Sequence, residues 1–322
     1  MIVRWGLDEL GSVLVDVGIG RPLYVASHRW ADLELPVPVQ GTWSQVPTHE
    51  IGQAAREASG CDGILALGGG SAIDLAKAIS AETGLPIVSV PTTYSGAEWT
   101  RTFGIRDEGR KLRGGGAGSH NAGIVYDVAL TLDLPHAETA GTALNALDHC
   151  AEALYVSGRN EEADRAAVAG AALISASLPA VLARPHDRAA RRHLLEGAAD
   201  AGAALGGAGL GLAHAIAQAL GGFYGIAHGA MNALALPPVL RFNAAAAGDE
   251  IARFAAAMGV SDAAARAEEL ARLGGFERLR DFGVRREDVP EIATNAAARP
   301  GNKANAREAT AAEIEQLIES IW

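Results

Sequence analysis

Three histidines in the second half of the chain have residue types and spacing suited to acid–base or metal chemistry. His149 follows Asn145 by four residues and His214 precedes Gln218 by four, so each pair shares a helix face. His228 comes fourteen residues after His214 and begins another predicted helix. Catalytic metals often take histidines from separate elements, and imidazole also exchanges protons near neutral pH. The alternative is three scattered histidines with no shared role.

A glycine turn in the first half has the form of an anion site. Residues 65–71, LALGGGS, run a buried strand directly into a helix. Gly68, Gly69 and Gly70 let the backbone approach a ligand, and we expect Ser71 to cap the helix. The N–H groups and the positive dipole end of that helix would then face a pyrophosphate. The triplet is neither GxGxxG nor a Walker A loop, so a plain turn is the alternative.

A second polar turn follows the next predicted strand along the chain. The strand at 86–90, PIVSV, leads into residues 91–96, PTTYSG, which place small hydroxyl side chains where the strand ends. Ligands of open parallel sheets bind at the carboxyl ends of the strands. Two polar turns at that edge predict one extended ligand.

The elements that must position these residues differ between the two halves. Up to about residue 135, short apolar runs alternate with helical stretches, which predicts right-handed crossovers and a parallel sheet. A charged turn at 107–109 predicts a hairpin over Phe103–Arg113. The predicted strands are 22–27, 63–67, 86–90 and 123–126, with helices at 49–59 and 71–81 between them.

Beyond residue 135 the pattern becomes almost entirely helical, with a period near 3.6. We therefore expect an α/β dinucleotide-binding domain over 1–135 and an all-helical catalytic domain over 136–322. Proline and glycine in Arg299–Asn302 interrupt the helices and predict a late surface loop. The helices are expected at 137–156, 161–183, 187–205, 210–221 and 227–240, with several more up to Trp322.

The composition narrows the class of protein. The 322 residues are 49% hydrophobic and 20% charged, a globular profile, and the formal net charge of −11 argues against a nucleic-acid partner. The two cysteines, Cys61 and Cys150, are expected to be reduced thiols. No leader opens the chain, and charges and glycines are expected to interrupt any apolar span of about 20 residues. We expect a cytoplasmic protein without a membrane partner.

Four segments resemble the iron-containing alcohol dehydrogenase superfamily, and within it the maleylacetate reductases. The PTTYxGxE and NALxHCxEALY patterns point to that branch, with asparagine where most relatives carry aspartate. The resemblance covers nearly the whole chain. It implies an α/β dinucleotide-binding domain, an all-helical domain and an active site in the cleft between them, the architecture that dehydroquinate synthase shares. The segments are residues 68–79, 91–100, 145–155 and 211–237.

The resemblance also implies roles for particular residues. Gly68, Gly69, Gly70 and Ser71 would hold the pyrophosphate of NADH or NADPH. The adenine and ribose side would be lined by Thr92, Thr93 and Ser95, and the nicotinamide end would lie near Asp74 and Lys111. The metal positions of the superfamily fall on Asn145, His149, His214 and His228.

This sequence departs from the family pattern at that metal site. Asn145 offers a neutral amide where relatives have a carboxylate, which disfavours iron, although zinc or iron remains possible on the three histidines. We expect Asp148 not to compensate, because it precedes His149 and points about 100° away around the helix. Gln218 stands where many relatives have histidine. Residues 229–232, GAMN, replace the acidic residue and histidine common in maleylacetate reductases.

The implied activity is reduction of maleylacetate to 3-oxoadipate by NADH or NADPH without a metal. The histidines His149, His214 and His228 would supply the proton and polarise the ketone, with Tyr94 as a further donor. Two substrate carboxylates need cationic partners, for which the candidates are Arg101, Lys111 and Arg113. Asn145 and Gln218 are further candidates for contact with the substrate.

Other activities remain open from the sequence. They are a zinc- or iron-dependent alcohol or aldehyde reductase of the same superfamily, a biosynthetic reductase of another carbonyl or enone, a lyase like dehydroquinate synthase, and a non-enzymatic binding protein. Residues 37–43, taken as the end of the second strand, hold no acid for the ribose 2′-hydroxyl, so NADPH should serve as well as NADH. Relatives are commonly dimers, and we expect a homodimer acting on a small molecule.

Overall fold

A computed structural model describes all residues 1–322, and they fall into two compact units. The first unit comprises Met1–Thr93 and Ala97–Leu132, and the second comprises Tyr94–Gly96 and Asp133–Trp322. The domain ranges 1–135 and 136–322 remain our proposal.

The first unit is built on a six-stranded sheet whose neighbouring strands all run parallel. The strand order is β1-β8-β5-β4-β2-β3, so the α/β class predicted from the sequence is confirmed. The sequence analysis missed β1 and β3, which are short and only partly buried. The strands are β1 Ile2–Trp5, β2 Pro22–Ala26, β3 Gly41–Trp43, β4 Gly63–Gly68, β5 Pro86–Pro91 and β8 His120–Tyr126.

Both faces of this sheet are covered, which explains the continuous apolar runs of its central strands. On one face, Leu65 and Val88 pack in a cluster with Val13 of helix α1, Leu10–Asp16. On the other, Ile64 packs in a cluster with Ile73 of helix α3, Gly70–Thr83. Helix α2, Ile51–Glu57, and the antiparallel hairpin of β6, Thr102–Arg106, and β7, Leu112–Ala117, complete the unit.

The second unit is entirely helical apart from its connections, as predicted. Its first helices contact one another in the pairs α4–α5, α5–α6, α4–α8 and α7–α8. At the α4–α8 contact a Cβ on Gly229 would overlap the carbonyl of Gly141, so the two backbones meet directly. The helices are α4 His136–Ala153, α5 Glu161–Ala183, α6 Arg188–Ala208, α7 Leu212–Tyr224, α8 His228–Asn243, α9 Gly248–Ala257, α10 Ala263–Leu273, α11 Val289–Ala297, α12 Pro300–Ala304 and α13 Ala311–Ser320.

The surface loop predicted at Arg299–Asn302 is wrong. Pro300 begins the short helix α12, a position where proline loses no hydrogen bond. Asn302 is fully buried, donates to the carbonyls of Ala297 and Ala309 and accepts from the Ala309 amide. Its side chain therefore fixes the chain between α11 and α13.

The expectation that no long apolar span exists is also wrong. Helix α5 is long and apolar enough, by composition alone, to cross a membrane. It is rich in alanine, and it packs mainly on α4 and α6, with further contacts to α9 and α10. A helix that packs within a helical core has the same composition, because it must bury much of its surface.

Candidate active site

The glycine turn of the first unit joins β4 to α3. Gly68 has a φ of +153°, and a Cβ on Gly69 would lie 2.9 Å from Cγ2 of Thr93. The backbone amide of Thr92 donates to the Gly68 carbonyl at 3.0 Å, so the two polar turns lie against each other. This arrangement places the partly exposed Gly69 and Gly70 at the carboxyl end of β4, the edge of a parallel sheet where ligands bind.

Ser71 does not cap α3, contrary to the expectation. The helix begins at Gly70, its N-cap is Gly69, and no side chain accepts a hydrogen bond from its first turn. The amides of Ala72 and Ile73 donate to the Gly69 carbonyl, so the amides of Gly70 and Ser71 are the ones that remain available for an anion.

Asp74 and Lys111 have different surroundings. The Asp74 carboxylate pairs with Lys77 Nζ at 2.7 Å and accepts from the Gly104 amide at 3.1 Å, which ties α3 to the hairpin. The sequence analysis missed Lys77, a buried lysine that also donates to the carbonyl of Thr102. The Lys111 side chain is exposed in the hairpin turn and makes no ion pair.

The segment that follows the second strand was misplaced in the sequence analysis. Strand β2 ends at Ala26, which is paired with Leu67 of β4, so Ser27 follows beside Gly68. Residues 37–43 instead lead into β3 at the sheet edge. The residues after β2, Ser27-His28-Arg29, also include no acid. The residues that follow β2 therefore offer no carboxylate, and the cofactor that this favours stays a prediction.

The two candidate arginines are exposed and bonded within the first unit. Arg101 Nε donates to the carbonyl of Ser119 at 2.9 Å. Arg113 Nε donates to Asp107 Oδ2 at 2.6 Å, across the hairpin turn. Each guanidinium therefore has a hydrogen-bond partner within the first unit. Binding of a substrate carboxylate by either arginine stays a prediction.

Tyr94 and Ser95 belong to the second unit. Tyr94 is fully buried, and its hydroxyl accepts from Arg191 Nη1 at 3.1 Å. Arg191, which the sequence analysis did not name, is itself buried and also donates to the Thr139 hydroxyl. These bonds anchor the start of the Tyr94–Gly96 segment in the helical unit, and the role of Tyr94 as a donor stays a prediction.

The three histidines lie together in the second unit. His149 of α4 stacks on His214 of α7, with ring centroids 4.7 Å apart and planes inclined by 18°. The His214 and His228 centroids are 5.6 Å apart. His149 and His214 are buried, whereas His228, at the first position of α8, is partly exposed. Gln218 has a partner outside the histidine cluster, because its Oε1 accepts from Arg299 Nη1 at 3.2 Å.

One side of the His214 ring faces carboxylates. Its Nδ1 is 2.7 Å from Glu152 Oε2 and 3.2 Å from Asp148 Oδ2. Glu152 also accepts from the backbone amides of Gly211 at 2.6 Å and His214 at 3.2 Å, so it holds the start of α7 as well as the imidazole. Such a carboxylate fixes which ring nitrogen carries the proton.

The structure places Asp148 in the cluster, on the Nδ1 side of His214 and not at the superfamily's metal positions, and the sequence analysis missed Glu152. Asn145, Asp148 and Glu152 are spaced i, i+3 and i+7, which puts them on one face of α4. His149 is the next residue after Asp148, about 100° further around the helix, and its ring still stacks on His214 in the same cluster. The i, i+3, i+7 spacing was the signal available in the sequence.

The other side of the His214 ring faces two amides. His214 Nε2 is 3.2 Å from Asn145 Oδ1 and 3.2 Å from Asn232 Nδ2. Asn232 Nδ2 also donates to Asn145 Oδ1, and Asn145 Nδ2 donates to the Ser95 carbonyl at 3.2 Å. The sequence analysis noted Asn232 only as part of a departure from the family pattern.

Burial changes the protonation of two groups in the cluster. Desolvation, followed by the neighbouring His214 and His228, lowers the pKa of His149 well below its ordinary value. Desolvation, followed by Glu152, raises the pKa of Asp148 well above the usual range, and neither Asp148 oxygen has a hydrogen-bond partner. The cluster therefore favours a neutral imidazole at His149 and a protonated carboxyl at Asp148.

The residues at the superfamily's metal positions do not fit a divalent cation. The Nε2 side of His214 meets neutral amides rather than an anionic ligand, and an amide N–H group points at the nitrogen a metal would need. Asp148, Glu152 and the Nδ1 side of His214 are close enough to be considered as a separate metal group. Glu152 Oε2 already accepts from Gly211 and His214 Nδ1, whereas the two Asp148 oxygens have no hydrogen-bond partner.

Comparison with known proteins gives the same family for both parts of the chain. Residues 7–126 match the family model described as iron-containing alcohol dehydrogenase. Residues 139–322 match the model of the C-terminal part of the Fe-containing alcohol dehydrogenase family.

Individual relatives carry the name maleylacetate reductase. The one from Burkholderia cepacia is 41% identical over 220 residues, which are 68% of this chain and 62%, less than two thirds, of that protein. Maleylacetate reductase 1 of Rhodococcus opacus is 34% identical over 301 residues, 93% of this chain and 81% of that protein. The crystal structure of maleylacetate reductase from Agrobacterium tumefaciens matches with a TM-score of 0.90 at 29% identity, over 100% of this chain and 95% of that one.

Proposed function

The chain belongs to the iron-containing alcohol dehydrogenase family, and we propose that it reduces maleylacetate to 3-oxoadipate with NADH or NADPH. The family and the relatives confirm that it is an NAD(P)H-dependent reductase that is most like maleylacetate reductases. The identity of the substrate and the absence of a metal are our proposals.

The observation that carries the proposal is the neutral polar cluster around His214. Its rings and amides, His149, His214, His228, Asn145 and Asn232, offer hydrogen bonds and protons but no anionic ligand on the Nε2 side. Reduction of an enone needs a donor for the negative charge that builds on the ketone oxygen and then a proton. A neutral imidazole N–H can donate the hydrogen bond to the ketone oxygen. An imidazole that has taken up a proton from solvent can then deliver that proton and return to its neutral form, so alkoxide activation by a cation is not required.

In this proposal the first unit binds the cofactor. The amides at the start of α3 bind the pyrophosphate, and Thr92 and Thr93 lie against the glycine turn to meet the adenosine side. The bound nicotinamide supplies the hydride, and the protein's part is to hold it in place and to exclude water. Asp74 has a structural role in this proposal, because its carboxylate already binds Lys77 Nζ and the Gly104 amide and so joins α3 to the hairpin.

The second unit supplies the acid–base groups. His228 is the partly exposed member of the cluster and therefore the one that can meet a substrate oxygen directly. His214 lies behind it, held through Nδ1 by Glu152 and through Nε2 by Asn232, and positions the His228 ring that packs near it. His149, kept neutral by burial, packs on His214 and maintains the ring orientation.

Two carboxylates of the substrate require cations. Lys111 is exposed and makes no ion pair, so it is the first candidate; Arg101 and Arg113 are exposed but already donate within the unit. The cofactor site, with no acid after β2, should accept the 2′-phosphate of NADPH as well as the hydroxyl of NADH.

A substrate panel tests the proposal. Maleylacetate, simple aldehydes and cyclic enones are each assayed by the loss of NADPH absorbance, and every assay is repeated with NADH. We expect kcat/KM for maleylacetate to exceed that for aldehydes by about 100-fold or more, since the site's polar groups match its carboxylates and ketone. A higher kcat/KM for an aldehyde, or no turnover of maleylacetate, would contradict the proposed substrate.

A metal-dependent alcohol or aldehyde reductase is the second candidate, and the proximity of Asp148, Glu152 and His214 Nδ1 is what favours it. In that case activity toward aldehydes should disappear on chelation and return with zinc or iron. Metal analysis of the same preparation separates the two functions.

A further inference from the structure

The amide of Asn232 occupies a central position in the histidine cluster. Its Nδ2 is 3.2 Å from His214 Nε2 and also donates to Asn145 Oδ1. One –NH₂ group carries two N–H donors, so it can serve both acceptors at once. Asn232 is fully buried, and its Oδ1 has no hydrogen-bond partner, so the Nδ2 contacts alone orient the side chain.

The neighbours of Asn232 are themselves fixed in orientation. Asn145 Nδ2 donates to the Ser95 carbonyl, which turns Asn145 Oδ1 toward Asn232. Glu152 accepts from His214 Nδ1, which leaves the Nε2 lone pair facing Asn232. Two acceptors from α4 and α7 thus converge on one donor group from α8.

We infer that Asn232 takes the place of a cation in this cluster, and that together with Asn145 it keeps divalent metals out. Zinc binds an imidazole nitrogen at about 2.0–2.1 Å, well inside the 3.2 Å that separates His214 Nε2 from the amide nitrogen. A metal would therefore have to displace the amide. The amide N–H groups also present partial positive charge toward that position, where a metal ligand must present a lone pair.

This inference concerns the cluster alone and does not depend on the substrate. In this inference two residues exclude the metal in different ways. Asn145 offers no anionic oxygen as a ligand, and the Asn232 amide occupies the metal position and directs its N–H groups toward His214 Nε2. Removing one barrier leaves the other, so metal binding should appear strongly only when both are changed.

A double-mutant cycle tests this division. Wild type, Asn145→Asp, Asn232→Ala and the double variant are purified without metal and titrated with Co²⁺, whose visible absorption reports coordination by imidazole and carboxylate. Bound zinc is measured separately by mass spectrometry. We expect the double variant to bind about one ion per chain, and about 100-fold more tightly than Asn145→Asp, because the metal no longer has to displace the amide from His214 Nε2.

Controls keep the outcome decisive. Asn243→Asp places a carboxylate at another buried asparagine of the helical unit, one that pairs with Asn305, and should gain no Co²⁺ spectrum. If the double variant does not fold, as judged by circular dichroism, Asn232→Ser in the Asn145→Asp background replaces it. Equal affinity of Asn145→Asp with and without the Asn232 change would overturn the role of Asn232. A wild-type protein that takes up stoichiometric Co²⁺ would also overturn it, whereas failure to reduce maleylacetate would leave it standing.

Discussion

The glycine turn of the first unit and the histidine cluster of the second are built on opposite plans. The turn uses backbone groups from one short stretch, Gly68–Ser71, and side chains contribute mainly by being small. The cluster uses side chains from α4, α7 and α8, whose members are up to 87 residues apart in the chain. A site formed by backbone groups can tolerate substitutions in the surrounding side chains. A site formed by side chains that are hydrogen-bonded to one another depends on the identity of each residue.

That difference suggests how the two sites divide the work. In the proposed function the backbone site binds a pyrophosphate, an anion that many enzymes share, and takes no part in selecting the substrate. The side-chain cluster departs from the superfamily's metal positions at Asn145 and contains Asn232 as well. We therefore place the chemistry that distinguishes this protein in the second unit.

The largest effect is expected from removing the central imidazole. His214→Ala removes the ring that positions His228, and we expect it to lower kcat by about 10²-fold, the lower end of what a general acid–base group contributes. The dissociation constant of NADPH, measured by fluorescence titration, should hardly change. His193→Ala, at an exposed histidine of α6, is the matched control. A large loss of NADPH binding in His214→Ala would break the division between the two sites.

The next effect is on stability and belongs to Glu152. Glu152→Ala leaves His214 Nδ1 and the amides of Gly211 and His214 without their acceptor in a buried place. We expect a loss of about 3 kcal/mol and a fall in Tm of about 6–12 °C by calorimetry. Glu152→Gln keeps an acceptor and should lose less than half as much; equal losses would show that the charge, and not the hydrogen bonds, is what matters.

A side chain in the glycine turn should weaken cofactor binding. A Cβ at Gly69 would lie 2.9 Å from Thr93 Cγ2, so Gly69→Ala must push the two turns apart. We expect the NADPH dissociation constant to rise by about 10- to 100-fold, with kcat at saturating NADPH changed much less. Gly52→Ala, on the exposed side of α2, serves as the control. Unchanged binding would remove the turn from the cofactor site.

The smallest effect concerns the choice between cofactors. Ser27→Asp introduces an acid directly after β2, beside the turn. The carboxylate should repel the 2′-phosphate, lowering kcat/KM for NADPH about 10-fold while that for NADH changes little. Ser59→Asp, an exposed position of the same unit, controls for added charge. A parallel decrease with both cofactors would argue that the 2′ position lies elsewhere.

The sequence predicted the local features of both regions better than the long-range ones. The strand–turn–helix at Gly68–Ser71 was found because its ligand groups are consecutive, although Gly69 and not Ser71 precedes the helix. The buried strands and the long helices were found from apolar patterning, since both sheet faces and most helix faces are covered. The edge strands β1 and β3 lack that pattern and were missed.

The histidine cluster was only partly predictable. The three histidines were grouped by type and spacing, and the structure brings their rings together. Their partners were not found, because Glu152 reaches His214 across 62 residues and Asn232 reaches Asn145 across 87. An asparagine or glutamate in a helix is usually a surface residue, so its burial in a network is visible only once the helices are packed.

Metal dependence is the most direct test of the central claim that the side-chain cluster works without a cation. The purified wild-type protein is dialysed against a chelator, its zinc and iron contents are measured by mass spectrometry, and kcat/KM for maleylacetate is determined before and after. We predict less than about 0.1 ion per chain and a change in kcat/KM below about 2-fold, because the amides of Asn145 and Asn232 fill the position. Loss of activity on chelation, restored by one equivalent of zinc or iron, would contradict the account.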